Sequence, residues 1–336
     1  MLLSDLDYDL PEALIAQSPA EPRDASRLMV LDAHHGTIEH RTFRELPLFL
    51  LPGDALVLNE TKVLPARLKA RKPTGGEVEL LFLRDLGPDR NNAWEALARP
   101  AKRLKPGGRL LVGDAGLDLL ENLGEGRWAV SAPDMPGLLE RHGRMPLPPY
   151  IEATEEAEAR YQTVYAREPG SAAAPTAGFH FTVEVLAGAE RAGAAVARVT
   201  LHVGTGTFLP VRTEKLEDHR MHAERYNVPE EAARVVEGAG RVVAAGTTVA
   251  RTLETWAGTG ELSGESRLFV YPGYRWRVVD ALLTNFHLPR STLLAMVMSF
   301  GGEDLVREAY RAAVEQRYRF YSFGDAMLVL NGGRTP

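Results

Sequence analysis

The chain has 336 residues, of which 45% are hydrophobic and 25% charged, the composition of an ordinary globular protein. This length exceeds what one common core accommodates, so it predicts two domains. The absence of cysteine excludes disulfides, thiolate metal sites and a cysteine nucleophile. No apolar run approaches the roughly 20 residues of a membrane span, and the first nine residues are acidic, unlike a signal peptide. We therefore expect a cytoplasmic protein with no membrane partner.

The net charge of -6 is unevenly distributed. Residues 61–110 contain twelve Lys or Arg against five Asp or Glu, a local surplus of seven positive charges. A basic region of this kind can contact phosphates, and a solvated sheet face is an equally good explanation.

The first 60 residues predict strands at 27–32 and 38–43, followed by a buried strand at 55–58. Short β-like runs follow at residues 78–83, 94–98, 109–112 and 128–131, separated by Gly, Pro and Asn. This pattern predicts a small barrel or sandwich. The proline-rich segment 145–150 then marks a boundary.

Longer elements occupy the rest of the chain. The pattern predicts helices at 154–162, 182–192, 229–238, 248–256 and 302–316, and strands at 195–203, 241–245, 267–271 and 320–330. The fold class is therefore an α/β (α+β) body with an inserted β-barrel-like domain. Because the opening segment is too short to bury a core, we assign residues 1–60 and 150–336 to the body and residues 61–149 to the insertion.

Two glycine-containing segments are candidate ligand loops. Residues 199–208 place Gly204, Thr205, Gly206 and Thr207 after a strand, but Pro210 keeps the chain extended, unlike a Rossmann loop that opens a helix. Such a loop exposes amides and hydroxyls to a ligand, and a tight hairpin is the simpler alternative.

The second segment, residues 241–251, runs from a buried strand through Gly246, Thr247 and Thr248 into a helical pattern that contains Arg251. Free amides at that helix start favour a carboxylate or phosphate. A Thr N-cap is the structural alternative.

Five of the nine histidines fall in polar loops of the second half: His180, His202, His219, His222 and His287. His219, His222 and Glu224 have a spacing that a metal could use, but the zincin motif and thiolate pairs are missing, so we expect no metal. Acid–base chemistry or contact with a nucleobase is the favoured interpretation, against ordinary structural histidines.

Further clusters are rich in hydrogen-bond donors. Residues 23–27, 59–62 and 161–165 contain Arg23, Arg27, Lys62 and Tyr161, and simple turn chemistry could explain each. Residues 174–181, with Thr176, and 283–290, with Asn285, alternate His with Phe and a hydroxyl or amide. Stacking and reading a base require those groups, so the residues indicate a nucleotide-handling enzyme.

In this order, the clusters resemble the S-adenosylmethionine:tRNA ribosyltransferase-isomerase family of queuosine biosynthesis. The resemblance covers nearly the whole chain and is weak only over residues 84–135. It is carried by residues 16–27, 53–67, 99–103, 145–151, 161–165, 173–182, 200–212, 219–224, 246–254, 271–274, 283–294 and 318–327.

The resemblance implies a transferase with a β-barrel inserted into an α/β body. The sequence does not determine the oligomeric state, for which a monomer is our working expectation. The co-substrate of the transferase would be S-adenosylmethionine, whose ribosyl part is transferred to 7-aminomethyl-7-deazaguanine in the tRNA anticodon loop. Adenine and methionine would leave, and the product would be epoxyqueuosine in tRNA. An S-adenosylmethionine-dependent RNA methyltransferase and a non-catalytic RNA-binding protein are the alternatives.

Site roles follow from this chemistry as hypotheses. His180 or His202 would be the base, with Glu224 as rival, and His287 would be the acid for adenine. Gly246, Thr247, Thr248 and Arg251 would hold the methionine carboxylate. Gly204, Thr205, Gly206, Thr207, Asn285, Thr176 and Tyr161 would contact the nucleoside. Candidates for tRNA phosphates are Arg23, Arg27, Lys62, Arg67, Arg99, Lys102 and Arg103.

Overall fold

The computed structural model describes residues 1–90, 92–204 and 213–330. The strands are β1 (Arg27–Asp32), β2 (Thr37–Thr42), β3 (Asp54–Asn59), β4 (Thr61–Val63), β5 (Arg67–Arg71), β6 (Glu77–Asp85), β7 (Trp94–Arg99), β8 (Arg109–Val112), β9 (Ala115–Gly124), β10 (Arg127–Ser131), β11 (Glu168–Ser171), β12 (Ala195–Leu201), β13 (Glu224–Asn227), β14 (Arg241–Ala245), β15 (Ser263–Ser266), β16 (Ala281–Asn285) and β17 (Ala326–Leu330). The helices are α1 (Met135–His142), α2 (Glu155–Arg160), α3 (Val183–Arg191), α4 (Glu230–Gly238), α5 (Thr247–Thr259), α6 (Thr292–Gly301) and α7 (Glu303–Glu315).

The large sheet of the described chain has the order β15-β13-β12-β3-β14-β16-β17-β1-β2. Its centre is parallel, because β3 pairs in parallel with β12 and β14, and β14 pairs in parallel with β16. Antiparallel strands flank this centre on both sides. The four parallel strands therefore end at the same edge of the sheet.

Both faces of the large sheet are covered. Along β3, Ala55 and Val57 contribute to one apolar cluster, and Leu56 and Leu58 to the other. Helices α4 to α7 pack on the first face, and α3 with the 3-10 segment Phe43–Phe49 packs on the second. Burial on both faces explains why β3 is continuously apolar rather than alternating.

The second sheet is a closed barrel with the order β10-β7-β6-β5-β8-β9. It has its own apolar core, which includes Leu80, Phe82 and Trp128. Beside the first barrel strand, the backbones of Arg67 and Arg144 exchange two hydrogen bonds of 3.1 and 2.8 Å. The chain thus enters and leaves the barrel region as an adjacent pair, which we call the stem.

The expected α/β body with a barrel is confirmed, and the barrel, not a sandwich, is the form of the insertion. The strand expected at 267–271 is wrong, because the strand in that region is Ser263–Ser266 and the following residues are irregular. In the segment expected as strand 320–330, Phe320 forms an isolated bridge with Ile15, residues 321–324 form turns and bends, and the continuous strand is Ala326–Leu330. The domain boundaries at 60 and 149 remain predictions.

None of the helices in the described ranges combines the length and the apolar character needed to cross a lipid bilayer.

Truncating the centre of the large sheet should destabilise the body strongly. Leu283 on β16 is fully buried, so Leu283→Ala should lower the free energy of unfolding by about 2–5 kcal/mol through lost burial and a residual cavity. Leu48→Ala is the matched control, because Leu48 is exposed and its truncation should cost less than about 0.5 kcal/mol. Urea denaturation measures both, and equal losses would contradict the assigned packing.

Candidate active site

The main cleft lies at the edge of the sheet where the parallel strands end. It encloses about 620 Å³, counting its open mouth. Its polar lining residues are Tyr150, Thr176, Thr247, Thr248, Thr284, Asn285, His287, Tyr321 and Ser322. In α/β folds, ligands bind outside the carboxyl ends of the parallel strands, so this is the position expected for a substrate site.

One wall of the main cleft is the start of α5. Gly246 has a φ of 110°, a left-handed conformation that lets the chain turn from β14 directly into the helix. No side chain in the described residues caps this helix, so the structural alternative of a Thr N-cap is wrong. The free amides of the first turn, together with the helix dipole, favour an anionic group here.

Asn59, at the end of β3, holds this wall in place. Its Oδ1 accepts hydrogen bonds from the backbone N–H groups of Leu201 and Thr61 at 3.1 and 3.2 Å. Its Nδ2 donates to the carbonyl of Leu201 at 3.0 Å and to the Thr248 hydroxyl at 3.2 Å. The Thr248 oxygen is therefore occupied as an acceptor, and its own O–H remains able to donate.

His180 lies behind the cleft wall rather than in the cleft. Its Nδ1 is 2.8 Å from the Ser26 hydroxyl, and its Nε2 is 3.2 Å from Nδ2 of Asn285. Its ring stacks on Phe43, with the centroids 4.9 Å apart. Burial, with smaller contributions from Arg319 and Arg23, lowers the pKa of His180 to about 3, so the imidazole is neutral.

His287 does line the main cleft. Its Nε2 is 2.8 Å from the Thr284 hydroxyl, and its backbone N–H donates to the Tyr310 hydroxyl at 2.9 Å. Its carbonyl accepts a hydrogen bond from the Tyr8 hydroxyl. Burial lowers the pKa of His287 to about 3, so this imidazole is also neutral and is oriented by its neighbours.

A side cavity of about 330 Å³ adjoins the main cleft and shares Thr247, Thr248 and Leu293 with it. The side cavity contains an ion pair between Arg251 and Glu224, whose side chains are 8% and 5% exposed. Glu224 also accepts a hydrogen bond from the backbone N–H of Gly204 at 2.7 Å. Burial lowers the pKa of Arg251 to about 10. The remaining wall is apolar and includes Met221, Leu268, Phe269, Val270 and Met296.

An aromatic edge of the main cleft went unrecognised in the sequence. Tyr150 and Tyr321 meet edge to face with centroids 3.9 Å apart, and the Tyr150 and Ser322 hydroxyls are 2.6 Å apart. Tyr321 has a φ of 74°, a strained conformation for a bulky residue and one that clusters at functional sites. Both tyrosines fall in segments that carry the resemblance, but spacing alone gave no signal that the two segments meet.

The other predicted ligand contacts lie apart from the main cleft. Among the described residues, His202 lines neither cavity; its Nδ1 pairs with the Thr61 hydroxyl at 2.9 Å, and burial lowers its pKa. Tyr161 is fully buried against Phe179 and lines neither cavity of the described chain. Gly204 is connected to the side cavity because its backbone N–H donates a hydrogen bond to Glu224. Thr205, Gly206 and Thr207 lie outside the described residues.

The predicted tRNA contacts fall into two groups. Arg23 donates to two backbone carbonyls at 2.7 and 3.0 Å, and the guanidinium of Arg27 lies 3.5 Å from the centroid of the Tyr318 ring. On and beside the barrel, Arg67 pairs with Glu79 at 3.3 Å. The exposed cations Lys62, Arg99, Lys102 and Arg103 have no ion pair with a carboxylate of the described chain.

The possible metal ligands do not form a metal site in the described parts of the chain, where no group of three or more His, Asp or Glu is placed to hold an ion. His219 instead packs edge to face against Phe269, with centroids 5.4 Å apart. Glu224 is engaged with Arg251.

The fold and the cleft are those of an α/β enzyme that carries a β-barrel and has its candidate ligand site at the carboxyl edge of a parallel sheet. A family model described as a queuosine biosynthesis protein matches residues 3–329. The chain therefore belongs to the queuosine biosynthesis protein family, which confirms the resemblance.

Individual relatives agree with this assignment. The chain is 70% identical over 336 residues to the S-adenosylmethionine:tRNA ribosyltransferase-isomerase of Rubrobacter xylanophilus, covering 100% of this chain and 99% of the relative. It is 55% identical over 347 residues to the protein of that name from Symbiobacterium thermophilum, covering 98% and 100%. A crystal structure of an S-adenosylmethionine tRNA ribosyltransferase from Thermotoga maritima matches with a TM-score of 0.56 at 41% identity, covering 97% of this chain and 100% of that one.

Breaking the buried ion pair of the side cavity should cost far more than breaking an exposed one. Glu224→Gln leaves the Arg251 guanidinium buried without its counter-charge, and we expect a loss of about 3 kcal/mol in the free energy of unfolding. Adding Arg251→Met should recover part of that loss, because the unpaired charge is then removed. Thermal denaturation measures both changes.

Glu121→Gln is the matched control, because it breaks the exposed pair between Arg90 and Glu121. It should cost no more than about 1 kcal/mol. If the Glu224 and Glu121 variants lose equal stability, the Glu224 pair is not desolvated as described.

Proposed function

We propose that this chain transfers and isomerises the ribosyl part of S-adenosylmethionine onto 7-aminomethyl-7-deazaguanine at the wobble position of tRNA. The products are epoxyqueuosine in tRNA, adenine and methionine. The observation that carries the proposal is the pair of adjoining cavities: a polar cleft with an aromatic edge, and an apolar cavity with a buried Glu–Arg pair. A ligand with a nucleoside at one end and an amino acid at the other matches that pair.

The amino acid end fits the side cavity. A methionine carboxylate placed there can bind the free amides at the start of α5, with Thr247, Thr248 and Arg251 as its contacts. Gly246 lines the main cleft and its N–H donates to the Leu283 carbonyl at 2.7 Å, so we propose that it shapes this wall without donating to the carboxylate. The thioether chain would lie against Met221, Phe269 and Met296.

The nucleoside end fits the main cleft. Thr176 and Asn285 supply hydrogen-bonding groups, and the Tyr150–Tyr321 edge offers aromatic surface to a base. Tyr161 belongs to the same apolar cluster as Ala174, which lines this cleft, so its proposed effect on the nucleoside is indirect. The proposed contacts Gly204, Thr205, Gly206 and Thr207 remain predictions: the N–H of Gly204 donates to Glu224 of the side cavity, and the other three lie outside the described residues.

The reaction requires a base, because the sulfonium acidifies the carbon beside it, and a proton donor for the departing adenine. His287 lines the cleft as a neutral imidazole, so the expected role of proton-donating acid does not fit it. We propose that His287 stabilises the departing adenine through an N–H hydrogen bond, and that water at the open mouth of the cleft supplies the proton. Glu224 is our leading candidate for the base, because it lies against the cavity. His180 contacts Asn285 and His202 contacts Thr61, and neither histidine lines a cavity of the described chain, so both would affect the ligand indirectly.

A double-label experiment tests the reaction. The protein is incubated with tRNA containing the deazaguanine precursor and with S-adenosylmethionine labelled either in the ribose or in the methyl group. Ribose label should enter the tRNA and free adenine should appear, whereas methyl label should stay out of the tRNA. Transfer of methyl label would indicate an RNA methyltransferase, and binding of tRNA without transfer of either label would indicate an RNA-binding protein. Both outcomes contradict the proposal, and tRNA with guanine at the wobble position is the control.

The exposed cations on and beside the barrel are the proposed tRNA backbone contacts, in a protein that we propose acts as a cytoplasmic monomer. Lys102→Glu with Arg103→Glu should raise the KM for tRNA about tenfold or more and flatten its salt dependence, because fewer counterions are released on binding. The KM for S-adenosylmethionine should not change. Steady-state kinetics at several salt concentrations measure these effects.

Arg234→Glu is the control for this charge reversal, because Arg234 is exposed on α4 of the body. It should leave the KM for tRNA and its salt dependence unchanged. If the double variant behaves like Arg234→Glu, the basic surface of the barrel does not hold tRNA.

A further inference from the structure

We propose that Asn285 is a fixed hydrogen-bond acceptor that reads an N–H group on a purine-type ring in the main cleft, and that Ser26 and His180 are the residues that lock it in this orientation. The identity of the ring rests on the proposed function, which supplies two candidates: the adenine of S-adenosylmethionine and the deazaguanine of tRNA. Neither Ser26 nor His180 lines the cleft in the described chain, so both act through Asn285.

The orientation of the Asn285 amide follows from one neighbour. The backbone carbonyl of Tyr321 lies 3.1 Å from one terminal atom of the side chain, and a carbonyl can only accept. That terminal atom is therefore Nδ2, the donor. Oδ1 consequently lies on the other side, where the Thr176 hydroxyl donates to it at 3.3 Å. Thr176 itself lines the cleft, so the acceptor is on the cleft side.

The proton position on His180 follows in turn. The second N–H of Asn285 Nδ2 points to His180 Nε2 at 3.2 Å, so Nε2 must accept and its proton must be absent. The ring proton is then on Nδ1, which donates to the Ser26 hydroxyl at 2.8 Å. An imidazolium would place an N–H against an N–H at Asn285. The lowered pKa of His180 agrees with a neutral ring.

Both hydrogens of the Asn285 amide are thus used inside the protein. The side chain can offer a ligand only its Oδ1 lone pairs, and a flipped amide would lose the bonds to Tyr321 and His180 together. A buried acceptor of this kind favours a ligand that carries an N–H and rejects one that carries a second acceptor, because the rejected ligand would leave both groups unpaired. An exocyclic amino group has the required chemistry.

The test compares two replacements of His180. His180→Phe keeps a flat ring against Phe43 but removes both the acceptor and the donor. His180→Gln can accept from Asn285 through Oε1 and donate to Ser26 through Nε2. His180→Phe should raise one KM by about fivefold to tenfold with kcat within about threefold, as expected for one weakened hydrogen bond, and His180→Gln should recover most of that loss.

The substrate whose KM rises identifies the ring: S-adenosylmethionine for adenine, or tRNA for the deazaguanine. Asn285→Ala should raise the same KM by a similar factor, and combining it with His180→Phe should add nothing, because both changes remove the same interaction. Additive losses would overturn the proposal. So would a fall in kcat of about 100-fold in both His180 variants with unchanged KM, which is the behaviour of a proton-transfer residue.

A measurement on the unmodified protein covers the case in which the variants fail to fold. The side-chain nitrogen spectrum of histidine distinguishes the two neutral tautomers, and the full chain should show His180 protonated on Nδ1 and bare on Nε2 from pH 5 to pH 8. A proton on Nε2, or titration within that range, would overturn the proposal. Failure of the proposed function is distinguishable, because the wild-type protein would then transfer no ribose label while the tautomer remained as described.

Discussion

The parallel register of β12, β3, β14 and β16 is the constraint on which the candidate site depends. It ends four strands at one edge, where the chain continues as Asn59, as Gly246 at the start of α5, and as Asn285. Asn59 then links three of these segments through side-chain hydrogen bonds to the backbone of β12 and to Thr248. A slip of one residue between β3 and either neighbour would separate Asn59 from these partners. The hydrogen bonds that hold this wall of the cleft in place would then be lost.

Desolvation controls the charge of this site. Burial keeps His180 and His287 neutral, and Glu224 balances the charge of Arg251. The walls therefore act through oriented dipoles and one compensated ion pair rather than through a net positive charge. A cationic ligand such as a sulfonium can enter such a site without repulsion, and the fixed dipoles need no reorganisation when its charge is redistributed.

The sequence predicted the elements whose patterns are local. The buried run of β3, the turn from β14 into α5 and several barrel strands were recognisable because composition and glycine position determine them. The strand β16 and the helix α6 were missed. Every residue of β16 and most residues of α6 are buried, so neither segment shows the alternation of buried and exposed positions that a period requires. The strand expected at 267–271 failed because β-favouring residues there serve as the wall of the side cavity.

The residues of the candidate site also fall into those that local sequence predicts and those that it does not. Thr247, Thr248, Asn285 and His287 were identified from their residue types beside glycine and aromatic residues, and all four line the main cleft. Whether a histidine faces the cleft or supports its wall depends on contacts between distant segments, such as the one between His180 and Ser26. Such contacts leave no spacing signal, and the pairing of Tyr150 with Tyr321 was invisible for the same reason.

The stem between Arg67 and Arg144 has an evolutionary consequence. Because Arg67 and Arg144 are hydrogen-bonded to each other, the residues between them form a unit whose two ends leave and rejoin the body at the same place. Insertions, deletions and charge changes in the barrel can alter its surface while the strand ends around the cleft keep their spacing. The surface of the barrel and the candidate site of the body can therefore diversify at different rates within one polypeptide.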